Sequence, residues 1–147
     1  MKTYKPLLLL AACVATVISG TACSEAAQSD SLEQDVSETR LFELRTYTTH
    51  DGKLADLHQR FENHTLALFE KHGMINIGYW IPEDPGLKDN TLIYIVSHES
   101  REAAEKSWDT FIADPEWQAA YEESRRDGPI VKNIVSVFMN RTPYSKI

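Results

Sequence analysis

In FELRTYTTHDGK, Phe42 to Lys53, the residue pattern changes period midway. Phe42, Leu44 and Thr46 alternate with Glu43, Arg45 and Tyr47 in a run rich in strand formers, which is the two-residue repeat of a β-strand. Asp51-Gly52 is turn chemistry, and from Lys53 onward Leu54, Leu57, Phe61, Leu68 and Phe69 recur at helical spacing. A strand therefore feeds directly into a helix. His72-Gly73 closes that helix, with a basic residue in its last turn and glycine just past its end.

Downstream, MINIGYWI (Met74 to Ile81) and TLIYIVSH (Thr91 to His98) flank the breaker-rich EDPGLKDN, and so predict an antiparallel strand pair. Ser100 reads as the N-cap of a helix over REAAEKSWDTFIA, and Asp114 followed by Pro115 starts a second, short helix that ends before Gly128-Pro129. The last strand runs from Ile130 to about Met139. The order is βαββαβ with one extra helix, an α+β, ferredoxin-like pattern: a four-stranded antiparallel sheet with its helices on one face. Phe42 and Leu44 are expected beneath the helices, with Glu43, Arg45 and Tyr47 on the opposite face. No element remains to cover that opposite face. Alternate positions in the other strands put apolar residues on both faces, so a second copy of the chain is the economical cover.

The chain of 147 residues, 42% hydrophobic and 25% charged, fits one ordinary domain. Its beginning stands apart. MKTYK is a basic n-region, the apolar run that follows is short for a membrane span, and small residues lead to Cys23. Residues 1–22 are read as an export signal, 23–40 as a polar, acidic tether and 41–147 as the domain. An apolar run, small residues and then cysteine resembles a bacterial lipoprotein signal, which makes Cys23 the candidate lipidation site. Cys13, preceded by Leu10-Ala11-Ala12, also fits the lipobox letters but leaves almost no apolar run after Pro6. Ordinary signal-peptidase cleavage near Ala22 or Ala26 is the alternative. Without the signal the chain keeps 13 basic against 22 acidic residues, a formal charge of −9. That argues against nucleic acid as a partner, and any membrane association is expected through the N-terminal anchor alone.

ELRTYT, GKL, the KHG before an apolar strand, GYW, the DPEW turn and the closing RTPYS together resemble the NIPSNAP domain, a member of the dimeric α/β barrel group. The resemblance spans about Phe42 to Ser145. It implies two ferredoxin-like subunits packed sheet against sheet, a homodimer. His98 departs from the aromatic residue that often follows the third strand of the family, and the lipoprotein-like leader is peripheral to its pattern. Related barrels include oxygenases, haem-binding proteins and members with no known activity, so fold alone leaves function open.

The candidate ligand-binding residues are Glu43, Arg45, Tyr47, Trp80 and His98. Glu43 and Arg45, two apart on a strand, face the same way; they either hold a polar ligand between the sheets or pair with each other or with the partner. Tyr47 and Trp80 form either a pocket wall or a core anchor. His98, at a strand end, either serves as a base toward a ligand, or caps the next helix or is solvated. His58 and Glu62 sit at i and i+4 with His64 nearby, but the two histidines flank opposite edges of the apolar stripe and do not converge on one metal ion. No nucleophile constellation, phosphate-binding loop or zinc spacing is present, and no cofactor is expected. The favoured expectation is an exported, lipid-anchored homodimer that binds a small organic ligand or a partner in the cell envelope, without catalytic residues. A cofactor-independent oxygenase or isomerase is the alternative, and a haem binder would need His98 aimed into the barrel.

Overall fold

The computed structural model describes residues 40–147; the signal, Cys23 and the tether up to residue 39 lie outside the described residues. Strand β1 is Leu41–Thr49. Helix α1 follows in three segments, Leu54–Arg60, the π-helical turn Phe61–Thr65, and Leu66–Lys71. Backbone angles stay helical through both junctions, so the three form one continuous rod. Then come β2 (Ile75–Trp80), β3 (Thr91–His98), α2 (Arg101–Ala113), α3 (Pro115–Ser124) and β4 (Val131–Asn140).

The strands form one antiparallel sheet in the order β2-β3-β1-β4, which is the ferredoxin-like arrangement expected from the sequence. β1 is a central strand with a partner on each side. Leu57, Phe61, Leu68 and Phe69 of α1, with Phe111 of α2, pack on Tyr47, Leu92, Tyr94 and Val96 of the sheet. Phe61 meets Tyr47, Phe69, Tyr79 and Tyr94 edge to face, at centroid distances of 5.3 to 6.1 Å.

The helix ends are closed by the residues the sequence marks for them. Ser100 Oγ accepts from the Ala103 amide at 3.1 Å, and Asp114 accepts from the Glu116 amide at 2.8 Å, ahead of Pro115. The Asp114 carboxylate also meets Lys71 Nζ and His72 Nε2, each at 2.8 Å, so one side chain caps α3 and pins the end of α1 to it. α1 itself stops in a Schellman motif: the Gly73 amide donates to the Glu70 carbonyl and the Met74 amide to the Phe69 carbonyl. Gly73 has φ +81°, a left-handed conformation that a Cβ disfavours. Gly73→Ala is expected to lower stability by about 1 kcal/mol, read by urea unfolding. No loss there would mean that this turn tolerates another geometry.

The two faces of β1 are the reverse of the expectation. Glu43, Arg45 and Tyr47 point toward the helices, and Phe42, Leu44 and Thr46 point away. The charged side chains satisfy one another inside, while the outward face is the more uniformly apolar one. Leu44, Ile93, Ile95, Val135 and Val137 share it by register. Trp80 also lies there, 50% exposed, with its indole across Gly78: a Cβ built on that glycine would come within 2.6 Å of the ring. Phe42 is buried at one end of this face, beside the C-terminal segment.

Candidate functional site

Four donors converge on one carboxylate beneath α2. Glu43 Oε1 accepts from Arg45 at 2.7 Å and from Ser136 Oγ at 2.6 Å. Its Oε2 accepts from Trp108 Nε1 at 2.7 Å and lies 3.1 Å from His98 Nε2. A carboxylate only accepts, so Nε2 is the protonated ring nitrogen of His98, and its buried Nδ1 has no partner. The network joins β1, β3, β4 and α2 at their crossing. Arg45 stacks on Trp108, 4.1 Å from the ring centroid, and reaches the Tyr47 hydroxyl at 3.4 Å. Burial alone would raise the Glu43 carboxyl. The hydrogen bonds of His98, Ser136 and Trp108 and the charge of Arg45 outweigh it and hold the group down at about 2.

Further along the same interlayer space, an open cleft of about 380 Å³ lies between α1, α3 and the start of β4. Phe61, Phe69, Phe111, Trp117 and Tyr121 supply aromatic walls, and Tyr47 closes the end nearest the carboxylate network. The π-helical turn forms part of the lining through Phe61 and Thr65. Thr65 Oγ1 donates to the Arg60 carbonyl at 3.2 Å, across the widened turn. Such turns insert one extra residue into a helix and recur at functional sites. Arg60 lies at the cleft's floor, 4% exposed, its guanidinium 5.3 Å from the Trp117 centroid and 5.4 Å from that of Tyr121. Burial lowers the affinity of its guanidinium for the proton, as expected of a charge taken out of water.

A family model described as NIPSNAP matches residues 42–146, nearly all of the described chain. The chain belongs to the NIPSNAP family. Among solved structures, a NIPSNAP-like domain protein from Burkholderia xenovorans aligns with a TM-score of 0.64 at 19% identity, covering 75% of this chain and 91% of its own. A NIPSNAP family protein of unknown function from Agrobacterium tumefaciens aligns with the same TM-score at 19% identity, covering 74% of this chain and 94% of its own. At that identity the likeness shows the fold alone. SnoaB, a cofactor-independent oxygenase from Streptomyces nogalater, aligns at a TM-score of 0.47 and 15% identity over 73% of this chain and 99% of its own, too distant to bear on chemistry. No curated protein matches the chain.

The NIPSNAP domain brings Glu43, Arg45, Tyr47 and His98 to one side of the sheet and leaves Trp80 on the other. The five sequence candidates thus do not line a single pocket. Glu43 and Arg45 pair with each other, one of the two arrangements expected of them. With four donors in place the carboxylate has no free lone pair directed at a ligand. His98 is fully buried on Glu43, neither a helix cap nor a solvated strand end as its position suggested. Tyr47 alone among the five lines the cleft. The residues that reasoning from sequence passes over are Arg60, Thr65, Trp117 and Tyr121. For Arg60 a signal is present: it lies three positions after Leu57 and eight before Leu68, a basic residue inside an apolar stripe.

Proposed function

We propose that this NIPSNAP domain is a small-ligand-binding protein of the bacterial cell envelope, exported, tethered through a lipidated Cys23 and working as a homodimer. The observation that carries the binding reading is the cleft. Its volume falls within the range of small-molecule sites, its walls are largely aromatic, and the buried polar residues Arg60 and Thr65 line it. The dimer reading rests on the outward sheet face, where Val135 and Val137 remain about half exposed beside Leu44 and Ile95. A contiguous apolar surface of this kind on a sheet is stable in water when another sheet covers it. The sequence around Cys23 supports export and tethering. The fully engaged Glu43 carboxylate and a cleft without a nucleophile-base pair among the described residues favour binding over catalysis.

Native mass spectrometry of the full-length protein, purified gently from its own host, tests the reading. The expected species is a dimer carrying a non-covalent mass of small-molecule size that is lost on denaturation. The denatured chain should begin at Cys23 with acyl mass attached. A monomer with no added mass would overturn the binding and dimer readings together, and a chain beginning elsewhere without acylation would overturn the anchor.

A further inference from the structure

Resting on the binding reading above, we infer that the cleft takes a small aromatic carboxylic acid, its carboxylate held by Arg60 and its ring seated among Phe61, Phe111 and Trp117. The first ground is an uncompensated charge. Arg60 is almost wholly buried, yet among the described residues no carboxylate lies within ion-pair distance of it. Among the described residues its one side-chain hydrogen bond is a long one, 3.4 Å to Ser124 Oγ, and its buried Nε has no partner. Arg45, the part-buried arginine of the carboxylate network, meets Glu43 at 2.7 Å. A guanidinium taken from water without an anion is costly, and the fold keeps this one at the floor of an open cleft rather than turning it outward.

The geometry selects the class of anion. A guanidinium offers a planar fork of donors that fits a carboxylate through two parallel hydrogen bonds. Lys132, also on the cleft lining, adds a second positive charge near the mouth. Most of the apolar wall is aromatic, with Val131 and Ile134 as its aliphatic part. Phe111 and Trp117 pack on each other, 4.4 Å apart between centroids and tilted by 35°, and both line the cleft. The π-helical turn begins at the residue after Arg60, so the extra residue it inserts acts on the segment that carries both the charge and Phe61.

Titration calorimetry of the full chain with 3-phenylpropionate and indole-3-acetate, each beside its neutral primary amide, tests the assignment. The expected result is one site per chain, with each acid at least about tenfold tighter than its amide. Arg60→Met should remove the preference for the acid while leaving the amide's affinity within about twofold, and Arg60→Lys should keep part of it. Should Arg60→Met fail to fold, the acid and amide comparison on the natural chain still decides. Acid and amide of equal affinity would overturn the carboxylate assignment and leave a small-ligand cleft in place. Failure of both acids at millimolar concentration would overturn the aromatic-acid class. Together with an empty protein in native mass spectrometry, it would remove the binding reading as well.

Discussion

Glu43→Ala is expected to destabilise the domain by about 3–5 kcal/mol, a shift of more than about 10 °C in thermal midpoint for a domain of this size. The substitution does more than delete a hydrogen bond. It leaves Arg45 charged and largely buried over Trp108, strands the indole N–H of Trp108, and removes the partner of a fully buried His98. Glu43→Gln keeps the shape and isolates the electrostatic part, so its loss should be smaller yet still above about 2 kcal/mol. Removing Asp56 from its partly exposed pair with Lys53 serves as the control and should cost less than about 1 kcal/mol. The same carboxylate sets an acid limit. Its folded value lies at about 2 against an ordinary 4.5, so the unfolded chain takes up its proton first as pH falls. The contribution is complete above about pH 4.5, declines below it, and is gone below about 2. It amounts to something on the order of 3 kcal/mol in urea titrations at stepped pH. Glu43→Gln should flatten that part of the profile. A Glu43→Ala chain as stable as the natural one to within about 1 kcal/mol would mean that the network contributes nothing to joining helix and sheet.

Val137→Asp should convert the proposed dimer to monomer, raising its dissociation constant at least about a thousandfold. Val137 sits opposite Leu44 in register and lies 47% exposed, so a charge there costs the isolated subunit little. In a two-fold interface each copy brings its own aspartate to the buried surface, and the penalty counts twice. Sedimentation velocity across a concentration series, with circular dichroism to confirm an unchanged fold, reads the effect. A dimer that survives the substitution would place the interface elsewhere, and a natural chain that is monomeric at high concentration would end the dimer proposal outright.

Most of the architecture is legible in the sequence because it is written in local chemistry. The two-residue repeat of β1, the caps at Ser100 and Asp114 and the glycine after His72 each act within a few residues, and the structure uses every one of them. The facing of β1 is misleading for a definite reason. Placing Glu43 and Arg45 on the face away from the helices assumes that charges find no partners beneath them, whereas Trp108, His98 and Ser136, between 55 and 93 positions from Glu43, supply those partners. Those separations carry no local pattern. The π-helical turn is equally invisible, since FENHT contains nothing that a regular helix would refuse. The cleft is hidden for a third reason: nothing local to Trp117 and Tyr121 marks a site, and only the docking of α3 beside α1 turns them toward Arg60.

The place of β1 in the sheet also shapes how the chain must fold. Among the described strands it is the first to be made and a central one in the finished sheet, and its neighbour β4 is the last. Until residues 131–140 arrive, one whole edge of β1 is unpaired and Glu43 lacks the hydroxyl of Ser136. Pairings this distant in sequence make folding slow, since a long loop must close before they contribute. During synthesis the chain therefore stays open until its final strand is complete, with an exposed edge that another chain could occupy in the meantime.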